Sequence, residues 1–198
     1  MPAQNIFDNL LLQGIRSGYA PARERDARNW YRTKAQNSNV TAENIIQKEK
    51  TRYRQTVKPG RMYLFSYDPK HKETLPFYDK YPLIFMVDQA KGGFYGINLH
   101  YLPHRLRAKL MDQLYSLVSN TKYDERTKLK MSYQLLNGIS KFRYFKPCFK
   151  HYLGNHVRSR FIEIAASEWD IALMLPLQKF QKASVQEVWK QSKELIKS

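Results

Sequence analysis

Hydrophobic and polar positions change period several times along this 198-residue chain, and the changes divide it into elements. Pro59-Gly60 and Lys91-Gly92-Gly93 are turn signals. Between them, RMYLFSY alternates as a half-buried strand should, and PLIFMVD is apolar enough to be a buried one. FYGINLHYL follows the second turn and pairs back as a hairpin. The intervening DPKHKETLPFYDKYP, rich in proline and charge, reads as a long loop.

From His104 the period becomes helical. Leu106, Leu110, Leu114 and Val118 recur at three-to-four residue spacing, and Leu129, Tyr133 and Leu136 repeat the pattern up to the stop Asn137-Gly138. Ser184 with Glu187 forms a capping box before Val188, Trp189, Leu195 and Ile196. Ser167 and Asp170 mark a short helix ending before Pro176. Near the start, RERDARNWYRTKAQ has helical composition, Asn37 to Asn39 form a loop, and Thr41 caps a further short helix.

The fold class is therefore α+β. The expected architecture is a small SH3-like β-barrel with strands at about 61–99 and 161–165, a helical insertion at about 104–150, and a C-terminal helix at about 184–196. These form a compact domain over 58–198, preceded by a basic, partly helical N-terminal arm over 1–57 that orders on its partner.

Composition adds the dominant number. The formal net charge is +17, from 34 Lys and Arg against 17 Asp and Glu, a field that attracts polyanions. The excess is placed rather than spread. Residues 16–61 hold twelve cations (Arg16, Arg23, Arg25, Arg28, Arg32, Lys34, Lys48, Lys50, Arg52, Arg54, Lys58, Arg61) against four acids, and residues 141–160 hold six with no acid. Placement of this kind suits a surface that tracks phosphates. The candidate contacts are Lys141, Arg143, Lys146, Lys150, Arg158 and Arg160 as the principal clamp, with Arg25, Arg28, Arg32, Arg52 and Arg54 reaching along the duplex. Phe142, Tyr144, Phe145, Phe149 and Tyr152 are interleaved with the clamp, where some rings stack on bases or sugars and the rest are core.

Catalytic and metal chemistry leaves no recognisable trace. Asp68, Glu73, Asp79 and Asp88 are scattered among loops as solvated acids, without the clustering that holds magnesium. Cys148, His151 and His156 give three ligands at an unfamiliar zinc spacing, and Pro103 interrupts any helical pairing of His100 with His104. There is no phosphate-binding glycine loop. No enzyme activity, cofactor, metal or small-molecule substrate is expected. The single Cys148 excludes an internal disulfide. The absence of a long apolar run or a secretory pattern in MPAQNIFDNLLLQG argues against membrane and export.

The run KPGRMYLFSYDPKHKETLPFYDKYPLIFMVDQAKGGFYGINLHYLPHRLRAKLMDQLY, followed by RTKLKMSYQLL, FRYFKPCFKHYL and SEWDIALMLP, resembles the DNA end protector proteins of contractile-tailed bacteriophages. The resemblance covers roughly 58–192, and its most specific pieces are YDPK, LPFYD, GINLHYLP and FKPC. It implies a low-copy virion protein that binds double-stranded DNA ends, shields them from host exonuclease in the host cytoplasm, and completes the filled head beside portal, neck or tail proteins. The alternative is a structural neck, tail or baseplate component whose positive face sits on acidic neighbouring subunits without touching DNA.

Overall fold

A computed structural model describes residues 6–19, 24–118 and 136–198. Its centre is a six-stranded sheet, antiparallel at every pairing, built from β1 (Tyr53–Arg54), β2 (Met62–Leu64), β4 (Leu83–Ala90), β5 (Gly93–Asn98), β6 (Phe149–Leu153) and β7 (Phe161–Ile164), in the order β1-β7-β2-β4-β5-β6. A second, two-stranded sheet pairs β3 (Tyr78–Asp79) with β8 (Phe180–Gln181). Helices are α1 (Ile6–Arg16), α2 (Arg25–Gln36), α3 (Ala42–Lys48), α4 (His104–Val118), α5 (Phe145–Cys148), α6 (Trp169–Met174) and α7 (Val185–Lys197).

Strand alternation sends the two faces of β2 and β4 to different cores. Met62 and Leu64 stand opposite Phe85 and Leu83 on β4, and opposite Ile164 and Ile162 on β7. All six are buried beneath the helices. Tyr63, Phe65 and Ile84 point the other way, into a smaller core with Val57, Tyr67, Met86, Phe94, Tyr152 and Phe161. At its middle the Phe65 ring meets Tyr67, Phe94, Tyr152 and Phe161 edge-on at centroid distances of 5.1 to 6.3 Å. Each such pair adds roughly 0.5–1.5 kcal/mol beyond the area it buries.

The mixed α+β class holds, but the SH3-like barrel does not. β1 and β6 are the sheet's edges and do not pair with each other. β1 is only two residues long, and the strands between the edges carry large apolar side chains on both faces, one of which the helices cover. The chain leaving β6 instead meets the continuation of β2, where Val157 bridges Tyr67 and Arg158 N donates to Ser66 O at 2.8 Å. The sheet curls around the aromatic core and stays open.

The helical insertion also needs correction. It is helical at α4 and at the single-turn α5, but β6 begins at Phe149, inside the expected span. Leu129 and Tyr133 lie outside the described residues. The segment expected as an arm contributes Phe7, Leu10, Tyr31, Ala35, Ala42 and Ile45 to the main core, and α1 and α2 both pack on the fully buried α6.

Turn and cap signals are realised locally. Gly60 and Gly92 adopt φ of +78° and +76°, which glycine reaches without the penalty a side chain incurs. Ser184 Oγ accepts from Glu187 N, while Ser184 N donates to the Glu187 carboxylate at 2.7 Å. The helix expected from Ser167 and Asp170 starts differently, with the Glu168 carboxylate accepting from Ala165 N at 3.2 Å. Thr41 Oγ1 accepts from Asn44 N at 3.2 Å at the start of α3. Thr41→Ala should cost about 1 kcal/mol, read as a lowered urea midpoint at constant slope. A midpoint within error of the parent would show that this cap adds nothing.

Candidate nucleic-acid interface

The eleven candidate cations fall into two groups once their surroundings are known. Arg28 binds the Asp112 carboxylate through both terminal nitrogens, at 2.6 and 3.2 Å, and lies 3.6 Å from Asp170. Arg52 forks onto Glu168 at 2.6 and 2.7 Å and donates to Glu49 at 3.2 Å. Burial alone would lower both guanidinium pKa values, and the facing carboxylates more than reverse it. These two arginines tie α2 to α4 and α6, and the Lys50–Arg52 turn to the start of α6. Arg54 shares Glu163 with Arg61 on the sheet surface. Arg32 is half-buried, its Nε without a hydrogen-bond partner.

Lys150 is also drawn inward. Its ammonium sits 4.1 Å from the centroid of the Tyr101 ring, and burial lowers its pKa. Arg25, Lys141, Arg143, Lys146, Arg158 and Arg160 are exposed. Of these, Arg158 has a carboxylate within ion-pair reach, Asp68 at 3.8 Å, while Arg143 lies over the Tyr144 ring and donates to its hydroxyl. Among the described residues the others show no ion pair.

The interleaved aromatics divide similarly. Tyr144 and Tyr152 are buried, whereas Phe142, Phe145 and Phe149 are half-exposed. Phe145 and Phe149 stack at 4.7 Å, and Phe149 stacks on Tyr95 of β5 at 5.2 Å.

Sequence reasoning missed a buried polar network beneath this surface. Asp79, expected as a solvated loop acid, is almost wholly buried on β3. Its carboxylate meets His100 Nδ1 at 2.7 Å and accepts from Asn98 Nδ2 at 3.1 Å and the backbone N–H groups of Tyr81 and Lys179. Burial alone would raise its pKa, but His100 and these donors hold it below the usual carboxylate range. Burial pushes His100 down, so a neutral imidazole donates from Nδ1 to an ionised Asp79. Asn98 Nδ2 also donates to Tyr152 Oη at 3.1 Å, which joins the network to the aromatic core.

Arg107, fully buried on α4, lies alongside. It donates to the carbonyls of Leu102 at 2.7 Å, Leu173 at 3.1 Å and His100 at 3.5 Å, and to Gln178 Oε1 at 3.0 Å. Burial lowers its pKa to about 9. With His100 and Asp79 at zero or near-zero exposure, the network organises the fold and offers no open catalytic cleft. Its sequence signal was present, since LPFYD and GINLHYLP carry Asp79, Asn98 and His100, but spacing could not show that two distant segments converge.

Among the described residues, no group of three or more His, Cys, Asp or Glu side chains could hold a metal ion, and no helix is long and apolar enough to cross a membrane. No curated protein and no solved structure matches the chain. A family model does match, that of the phage T4 terminal DNA protecting protein, over residues 6–192, covering α1 to most of α7. The chain belongs to that family of bacteriophage DNA-end-protecting proteins.

Proposed function

We propose that this protein binds the double-stranded ends of a packaged phage genome, shields them from host exonuclease, and completes the head as a non-catalytic virion component beside portal, neck or tail proteins. The observation that carries the proposal is the segment 141–160, which contains no acidic residue and presents Lys141, Arg143, Lys146, Arg158 and Arg160 at the surface. The family supports the terminus as the target. Arg28 and Arg52 belong to internal ion pairs and are left out of the clamp, and Lys150 contributes through its packing on Tyr101.

Each phosphate neutralised contributes about 0.9 to the slope of log affinity against log salt. Replacing Lys141, Arg143, Lys146 and Arg160 together by Ala should therefore flatten that slope by up to about 3.6 units, measured by titrating linear duplex at several salt concentrations. The variant should also lose protection of linear DNA in an exonuclease digest. An unchanged slope would remove the clamp from this segment.

The exposed apolar residues Leu12, Ile15 and Leu195 favour a protein neighbour as well. If that neighbour is the protein's only partner, the purified chain will shift neither linear nor circular DNA at moderate salt.

A further inference from the structure

We infer that a column of four rings ending at His151 forms a stacking platform for the terminal base pair of the bound duplex. The inference rests on the DNA-end reading above and specifies how an end is told from the middle of a helix. Phosphates cannot make that distinction, because they repeat along the whole duplex. What a terminus alone offers is the uncovered flat face of its last base pair. A ring placed against that face recognises any sequence, since every base has a π-face.

The column runs Phe145, Phe149, Tyr95, His151, with successive centroids 4.7, 5.2 and 5.0 Å apart, the first two contacts stacked at 29° and 17° and the last tilted at 39°. Strand register sets it up. Tyr95 on β5 is the direct cross-strand partner of His151 on β6, and Phe149 lies two residues back on the same face. Phe145 enters from α5 and packs on the main core, so the inner end is anchored. At the outer end His151 is exposed, and Tyr95 is its ring partner among the described residues. No hydrogen bond to its imidazole occurs among those residues, so nothing in the fold requires a histidine there. Because the backbone ladder presets the rings, little ordering entropy is lost when a base joins the column.

The charge around the column fits this ligand. Lys146 sits on α5 beside Phe145, and Lys141 and Arg143 lie just before it. Lys91 occupies the β4–β5 turn, which Gly154 N, just past β6, joins by donating to Gly92 O at 2.9 Å. Lys91 thus lies on the His151 side of the rings, and Lys141, Arg143 and Lys146 lie at the Phe145 end. Asp88 is the carboxylate opposite Tyr95 on β4, and it repels phosphate from the column itself, leaving that position to a base.

The test uses the full-length protein and a short duplex with 2-aminopurine at its terminal position, in competition against linear and covalently closed circular DNA. With the parent protein, terminal 2-aminopurine fluorescence should be quenched on binding, and 2-aminopurine at an internal position should be unaffected. His151→Ala should abolish the terminal quench and reduce the preference for linear over circular DNA about tenfold or more, with the salt slope unchanged. His151→Phe should restore both. If His151→Ala keeps the quench and the preference, the column is only packing, although the DNA-end reading survives. If the parent protein prefers linear DNA without quenching the terminal base, end recognition lies elsewhere. If the parent binds no DNA, the function and the platform fall together.

Discussion

Arg107→Met should destabilise the protein by about 3–5 kcal/mol, the largest effect expected from any single polar substitution here. The guanidinium is fully buried without a carboxylate directly on it, so its desolvation is offset by four acceptors, three of them backbone carbonyls. Those acceptors come from the His100–Leu102 stretch, the end of α6 and the segment just after it, and the Trp189 ring of α7 lies 5.7 Å away. Methionine fills the stem's volume but leaves the carbonyls of Leu102 and Leu173 without this donor, while the His100 carbonyl keeps the Trp189 indole N–H at 3.0 Å. Replacing a buried ion with an apolar residue can be neutral when its partners are removed with it, but here they are main-chain groups that no substitution deletes. Arg107→Lys should recover only part of the loss, because one ammonium cannot span acceptors spread in several directions. Urea unfolding at pH 7 is the measurement. A shift below about 1 kcal/mol for the methionine variant would mean that water or a rearranged side chain meets those carbonyls equally well.

Legibility in the sequence followed the range of the interaction. The hairpin at Lys91-Gly92, the strands β2 and β4, the start of α4 and the caps at Thr41 and Ser184 are decided by neighbours within a few residues, and all could be read from the sequence. β1, β3 and β8 are two-residue strands whose pairing partners lie about a hundred residues away, too short to impose a period. β6 was hidden by its own chemistry. Lys150 and Tyr152 alternate inward while Phe149 and His151 face the ring column, so cations and aromatics fall on both sides and mask the strand pattern. The candidate site was legible as an acid-free cationic stretch. What could not be seen was which cations had internal partners, because Arg28 meets Asp112 and Arg52 meets Glu168 across separations of 84 and 116 residues.

Acid should weaken the fold well before carboxylates protonate. Lowering the pH from 7 to 5 should remove about 1–2 kcal/mol of stability through His104, with His100 acting in the same direction. Burial is the main cause at both. It pushes His100 below its ordinary 6.5, and it pushes His104, with Arg107 and Arg32 adding repulsion, down to about 3. The folded chain thus keeps both rings neutral while the unfolded chain protonates them below pH 6.5. The unfolded state binds more protons in this window, so unfolding free energy rises with pH, and stability present above 6.5 is lost as the pH falls. His104 contributes up to about 1.4 kcal/mol per pH unit, discounted because it is only half-buried, and His100 adds to the loss in the same direction. Asp79 does not confuse the reading, because its lowered pKa withdraws stability only below the ordinary carboxylate range. His104→Gln, which keeps a polar side chain beside Trp189 but cannot titrate, should shrink the loss between pH 7 and 5, while its stability at pH 7 changes far less. Equal denaturant midpoints at pH 7 and 5 for the parent would show that these imidazoles reach water in the folded state, and the buried Asp79–His100 pair would then no longer account for how β3 is held to the end of β5.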